Sequence, residues 1–99
     1  MQGFTEDVIH LIASIPSGKV MSYGGIARAC MMPRGARQVS YILHSMSEKH
    51  DLPWHRVINS QGKISLPGKR GDLQRQLLEQ EGVIFVNGKI NMKTYTYLS

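Results

Sequence analysis

"LPWHRVINSQGKI" spans Leu52–Ile64, and the reading of its Trp54 decides what kind of chain this is. Tryptophan is most often a core residue. Here it stands between Pro53, which restricts the backbone, and the polar pair His55-Arg56. It leads into "RVINS", a short extended segment, and "SQG" then turns the chain back towards "KISL". An indole in that setting either packs inward or walls a site.

On the N-terminal side, Phe4, Val8, Leu11, Ile12 and Ile15 recur at helical spacing, with Glu6 and Asp7 at the favourable end. Pro16 and Gly18 close that helix. Ser22 is placed to cap a second helix through "YGGIARAC", with Ile26, Ala27 and Cys30 inward. "MMPRG" breaks it at Pro33 and Gly35. A third helix, "ARQVSYILHSM", buries Val39, Ile42, Leu43 and Met46 and leaves Arg37, Gln38, Ser40, Tyr41 and His44 on its other face. Two short helices around a tight turn, the second with a polar and basic face, make a helix-turn-helix pattern.

On the C-terminal side, "PGKRG" reads as a flexible basic loop. Asp72 reads as the cap of a helix with Leu73, Leu77 and Leu78 on one side and Gly82 at its end. Asn87-Gly88 inside "VIFVNGKINM" is the strongest hairpin signal in the chain. The expected fold is mainly α with small β elements: four helices and two β-turn units in a winged-helix, helix-turn-helix domain.

Composition narrows the class. With 99 residues the chain is expected to form one domain, residues 1–99, around a single modest core. A hydrophobic content of 41%, with four prolines against ten glycines, argues for a folded globule. No apolar run approaches the roughly 18 residues that span a bilayer, and "MQGFTEDVIHLIASIP" lacks the basic start of a signal peptide. A membrane is therefore not expected as a partner. The one cysteine, Cys30, cannot form an internal disulfide, which fits a cytoplasmic location, at the nucleoid if the source is bacterial. Twelve Lys and Arg against seven acids give a net charge of +5, pointing to a polyanionic partner as readily as to ordinary solubility. The four histidines lack ligand spacing, so no metal and no cofactor are expected.

Pro53-Trp54-His55-Arg56-Val57 resembles the Pro-Cys-His-Arg-Val active-site signature of the O6-alkylguanine-DNA alkyltransferases, with Trp54 at the cysteine position. Tryptophan in that slot is a feature of the alkyltransferase-like proteins, and the chain is identified as a member of that group. The resemblance runs roughly from Phe4 to Ile90. "GKVMSYGGIA" is similar to the family's approach to its helix-turn-helix and puts Tyr23 where the family has a phosphate-rotating tyrosine. "RGARQV" resembles the recognition helix, which implies DNA contact by Gly35, Ala36, Arg37 and Gln38, with Arg37 intercalating. "LLEQEGV" matches the segment whose glutamate orients the active-site histidine, here Glu81 with His55. One such motif is weak; four in the right order are specific.

In the alkyltransferases a thiolate, activated by a histidine that a glutamate holds, attacks the alkyl carbon. His55 and Glu81 can keep that geometry, but an indole cannot replace the nucleophile. Its nitrogen lone pair belongs to the ring, and its N–H only donates. Trp54 is therefore expected to line a base pocket from which the chemistry has been removed. "LPGKRG" departs from the family at a loop where a Tyr-Ser pair helps hold the flipped base, since Pro67 and Gly68 stand there. The O6 group would be read by backbone N–H groups or by Lys69 or Arg70. The expected pocket is Tyr23, Trp54, His55, Pro67, Gly68, Lys69 and Arg70, supported by Arg56 and Glu81, with no catalytic residue.

The resemblance implies non-enzymatic recognition of O6-alkylguanine in duplex DNA by a monomer. Binding would be in the minor groove, with the base flipped, and would signal to nucleotide excision repair proteins. Two other classes stay open. One is a DNA-binding regulator without lesion specificity. The other is an enzyme, either a transferase using Cys30 or a hydrolase using His55 and Glu81.

Overall fold

The structure, a computed structural model, describes residues 3–98. Helix α1, Phe4–Ser14, buries Val8 and Ile12 and carries Glu6 and Asp7 in its first turn, where they favour the positive end of the helix dipole. The chain leaves it at Ile15, ahead of Pro16. Strand β1, Met21–Ser22, leads directly into α2, Tyr23–Ala29. Ser22 caps α2 as expected, its hydroxyl accepting from the Gly25 N–H at 2.9 Å. After a turn in which Met31 takes φ +66°, α3 runs over Ala36–Met46. Val39, Ile42 and Leu43 are buried, while Arg37, Gln38, Ser40, Tyr41 and His44 face solvent. The two faces of α3 are thus divided as its periodicity predicts.

The main core joins α1, α2 and α3 with Leu52 and Val57. A second cluster, Val20, Ile58, Leu78, Val83 and Ile90, lies under the C-terminal half. Strand β2, Val57–Ile58, belongs to both clusters, one residue to each. It pairs in parallel with β1, Met21 against Val57 and Ser22 against Ile58. A strand with both successive residues buried has no solvent face, which suits a parallel partner in the interior.

The second half departs from expectation in four ways. The turn after β2 forms, with Asn59 Oδ1 accepting from the N–H groups of Gln61 and Lys63 at 3.0 and 2.9 Å. The returning segment, however, meets Lys89 instead of pairing along β2, whose ladder partner is β1. "PGKRG" is not a flexible loop. It opens helix α4, Gly68–Gln80, so Asp72 lies inside the helix and Pro67 takes the cap position. The inward face of α4 is Gly71, Gln74 and Leu78, while Leu73 is exposed. Two backbone demands set that rotation: Gly71 sits against the Leu66 carbonyl, and Gln74 reaches the carbonyls of His55 and Val57 at 3.2 and 2.8 Å. The Asn87-Gly88 hairpin forms as read, with both residues at positive φ and reciprocal bonds between Val86 and Lys89. A fifth short helix, α5 (Met92–Tyr95), was not signalled; the tail beyond it pairs with Val20.

A Cβ added at Gly71 would overlap the Leu66 carbonyl oxygen, and backbone cannot swing aside as a flexible side chain can. Gly71→Ala should lower the unfolding free energy by about 1–3 kcal/mol despite alanine's better helix propensity. Urea unfolding of the two proteins measures it. Equal or greater stability of the variant would contradict this packing.

Candidate functional site

Trp54, His55 and Arg56 form a single 3-10 turn between Pro53 and β2. Since β2 lies beside β1, and β1 runs straight into α2, this turn is anchored next to the helix-turn-helix. The carbonyls on either side of Arg56 are tied to α4 by Gln74, which is 1% exposed. Both partners of its amide nitrogen are carbonyls, which fixes the amide's orientation and leaves Oε1 buried without a partner. Losing Gln74 would strand two carbonyls at once.

Glu81 stands at the C-cap of α4. Gly82, at φ +92°, reverses the chain there, and Val83 N–H returns to the Leu78 carbonyl at 3.0 Å. The cap aims the carboxylate at the 3-10 turn. His55 Nε2 lies 2.7 Å from Oε2. Arg56 donates through Nη2 to Oε2 at 2.8 Å and through Nε to Oε1 at 3.1 Å, and its Nη1 reaches the Ile15 carbonyl at 2.9 Å. Gly18 N–H donates to Oε1 at 3.0 Å. Burial by itself would push the carboxyl up. The donors outweigh it and bring Glu81 down from 4.5 to about 2.

In front of this network lies an open cleft of about 1120 Å³, at or above the upper end of the ~300–1,000 Å³ typical of ligand pockets. Trp54, His55, Arg56, Pro67 and Arg70 line it together. The half-buried Trp54 packs one side on the main core and meets His55 edge-on, with ring centroids 6.1 Å apart. Arg70, from the first turn of α4, sets its guanidinium 4.4 Å from the centre of the indole ring. Gly68 and Lys69 do not line the cleft. Nor does Tyr23, which is half-buried beside Ser65; burial pushes its phenol up. Arg37 and Gln38 stand exposed at the start of α3, Ala36 is half-buried, and Gly35 is buried under Met32. The missing Cβ of Gly35 therefore makes room for Met32. His44, Glu48 and Asp51 also line the cleft, where sequence reading did not place them. Gln74 was missed as well, although a lone polar residue between Gly71 and Leu78 on one helical face was the available signal.

The sequence matches the profile of the 6-O-methylguanine DNA methyltransferase DNA-binding domain over residues 3–83. It is 45% identical to the DNA base-flipping protein of Vibrio parahaemolyticus over 98 residues, 98% of each chain. It is also 45% identical to alkyltransferase-like protein 1 of Schizosaccharomyces pombe over 85 residues, 84% of this chain and 79% of that one. The fold superposes on S. pombe Atl1, solved in complex with damaged DNA containing O6-carboxymethylguanine, with a TM-score of 0.84. That match is at 36% identity and covers all of both chains.

A carboxyl held at about 2 against an ordinary 4.5 contributes stability that is complete above about pH 4.5 and fades as pH falls towards 2. The contribution is on the order of 3 kcal/mol. Unfolding measured from pH 7 to pH 2 should show that loss. Glu81→Gln should be less stable by a similar amount at neutral pH and nearly flat through the acid window. An unchanged pH profile in the variant would mean that the carboxylate is not the group responsible.

Proposed function

Given that the chain belongs to the 6-O-methylguanine DNA methyltransferase DNA-binding family, and within it to the alkyltransferase-like proteins, we propose that it binds duplex DNA and holds a flipped O6-alkylguanine against Trp54 without changing it. The observation that carries this reading is the placement of Trp54 in the open cleft, its ring face covered by one exposed guanidinium. A cation–π contact at an exposed site contributes about 0.5–1 kcal/mol. Stacking of a base on an aromatic ring contributes about 1–3 kcal/mol. An incoming purine therefore displaces Arg70 from the indole at little cost and leaves it free to reach the O6 substituent.

The exposed face of α3 docks on the DNA, in the minor groove as the family resemblance implies. Arg37 enters the stack where the base leaves. Tyr23, whose phenol burial pushes up, offers a hydroxyl donor to the rotated phosphate. Flipping costs a few kcal/mol, less for a damaged base that pairs poorly, so the lesion contributes to its own selection. Transfer chemistry is not available at the cleft. The indole N–H is no nucleophile. Cys30 lies outside the cleft at the end of α2, and burial, with Asp7 nearby, pushes its thiol up, away from the reactive thiolate. Glu81, saturated by donors and held at about 2, is a poor proton acceptor for a hydrolase. The complex therefore persists. By family resemblance, its readers are the damage-recognition proteins of nucleotide excision repair.

Competition binding with duplexes differing only by an O6-methyl group should show tighter binding to the damaged one, and mass spectrometry after long incubation should find the methyl still on the DNA. Equal affinities would favour a DNA-binding regulator; a methyl adduct on Cys30 would establish an enzyme. Arg37→Ala should weaken binding to the damaged duplex by about 1–3 kcal/mol and affect the undamaged one much less. Arg37→Lys, which keeps the charge but not the planar fork, should recover little of that loss. Full recovery by lysine would reduce Arg37 to a phosphate contact.

A further inference from the structure

Helix α2 carries glycine at two of its seven positions, Gly24 and Gly25. Glycine is the least favourable helix residue after proline, and neither of these two has a positive φ that would require it. A Cβ on Gly24 would stand 3.4 Å from Nη1 of Arg28, an ordinary contact, and one on Gly25 would stand 3.0 Å from the Ser22 hydroxyl and 3.8 Å from Nη2 of Arg28, so the guanidinium lies beside both glycines. Helical side chains lean towards the N-terminus, so the Arg28 guanidinium lies back along α2 over the glycine step. It is exposed there. The ion pairs among the described residues use His55, Arg56 and Arg75, leaving Arg28 without a carboxylate.

Arg28 borders a pocket of about 550 Å³ that shares no residue with the Trp54 cleft. Ser22, Ser60 and Thr96 are among its lining residues, and no acidic residue among the described residues lines it. The tail that supplies Thr96 is fixed by backbone bonds on both sides of Val20. An exposed guanidinium with no carboxylate partner among the described residues, beside three hydroxyl-bearing side chains, suits an oxyanion. The planar guanidinium offers two parallel donors to two oxygens of one phosphate. In a helix-turn-helix the first helix is the one that crosses the nucleic-acid backbone, and α2 is that helix here.

We infer that the Arg28 pocket binds a backbone phosphodiester of duplex DNA, a contact separate from the lesion cleft and indifferent to the lesion. The inference rests on the proposed DNA binding but not on lesion selectivity, so its test uses undamaged duplex. Affinity is measured against salt concentration for the unaltered chain, Arg28→Ala and Arg28→Lys. Alanine should weaken binding roughly tenfold at low salt and make the slope of log K against log[salt] shallower by about 0.9. Lysine should restore the slope but only part of the affinity, and the ratio between methylated and unmethylated duplexes should not change in either variant. Unchanged affinity and slope in Arg28→Ala, or a loss confined to the damaged duplex, would overturn the inference. Failure of the unaltered chain to bind any duplex would instead overturn the DNA reading itself. Amide NMR spectra of the unaltered chain add a readout independent of substitution: Gly24, Gly25 and Ser60 should shift with undamaged duplex. If inorganic phosphate alone shifts them and duplex does not, the pocket is a free-anion site and the inference fails.

Discussion

The carboxylate of Glu81, at the end of α4, gathers donors from two separate parts of the chain: the backbone after α1 and the 3-10 turn that carries Trp54. Arg56, Gly18 and His55 all point at two oxygens, and Arg56 continues to the Ile15 carbonyl. A half-buried anion with this many donors is inexpensive to keep and costly to disturb, because removing it would strand a guanidinium and an imidazole in a poorly hydrated place. Everything the cleft does depends on the turn staying where this network holds it. Gln74 adds the backbone half of the same restraint, binding the carbonyls while Glu81 binds the side chains.

One helix therefore sets most of the cleft. Arg70 from its first turn lies over the indole, Gln74 from its middle fixes the turn that presents the indole, and Glu81 from its cap fixes the two side chains that follow. The parallel β1–β2 pair carries that position across to α2, one residue step from the turn on one strand and from Tyr23 on the other. The cleft and α2 are linked through backbone hydrogen bonds, so the distance between the Trp54 turn and the start of α2 is set by the sheet.

The first half of the fold was legible because its signals are local: an apolar stripe at helical spacing, a serine cap, and a proline-glycine turn. The Asn87-Gly88 hairpin was legible for the same reason. The second half was harder because distant backbone decides it. Nothing near Val57 and Ile58 in sequence says that their partner is Met21-Ser22. The rotation of α4 follows from carbonyls at Leu66, His55 and Val57 that no periodicity reports, and so Leu73 was expected inside and Gln74 was overlooked. Of the site, the group around Glu81 was readable only through family motifs. The acidic residues lining the cleft and the position of Arg28 lie outside those motifs, and three-dimensional packing alone brings them into view.

The packing gives the His55-Glu81 pair a structural role of its own. If the pair served only to activate a thiol, replacing that thiol by tryptophan would release both residues to drift. Glu81, however, is also the counter-charge of Arg56, and Arg56 is the donor that satisfies the end of α1. Removing either partner of this half-buried pair leaves the other charge poorly hydrated and without its counter-charge, a loss that counts against the ~5–15 kcal/mol total stability of a small domain. His55, edge-on to the indole, is held by the same carboxylate and helps fix the ring's tilt. The contacts around Glu81 thus hold the turn that carries Trp54 in place. A rigid indole loses little side-chain entropy when a base stacks on it, which is the economy that the proposed retention of a flipped base requires.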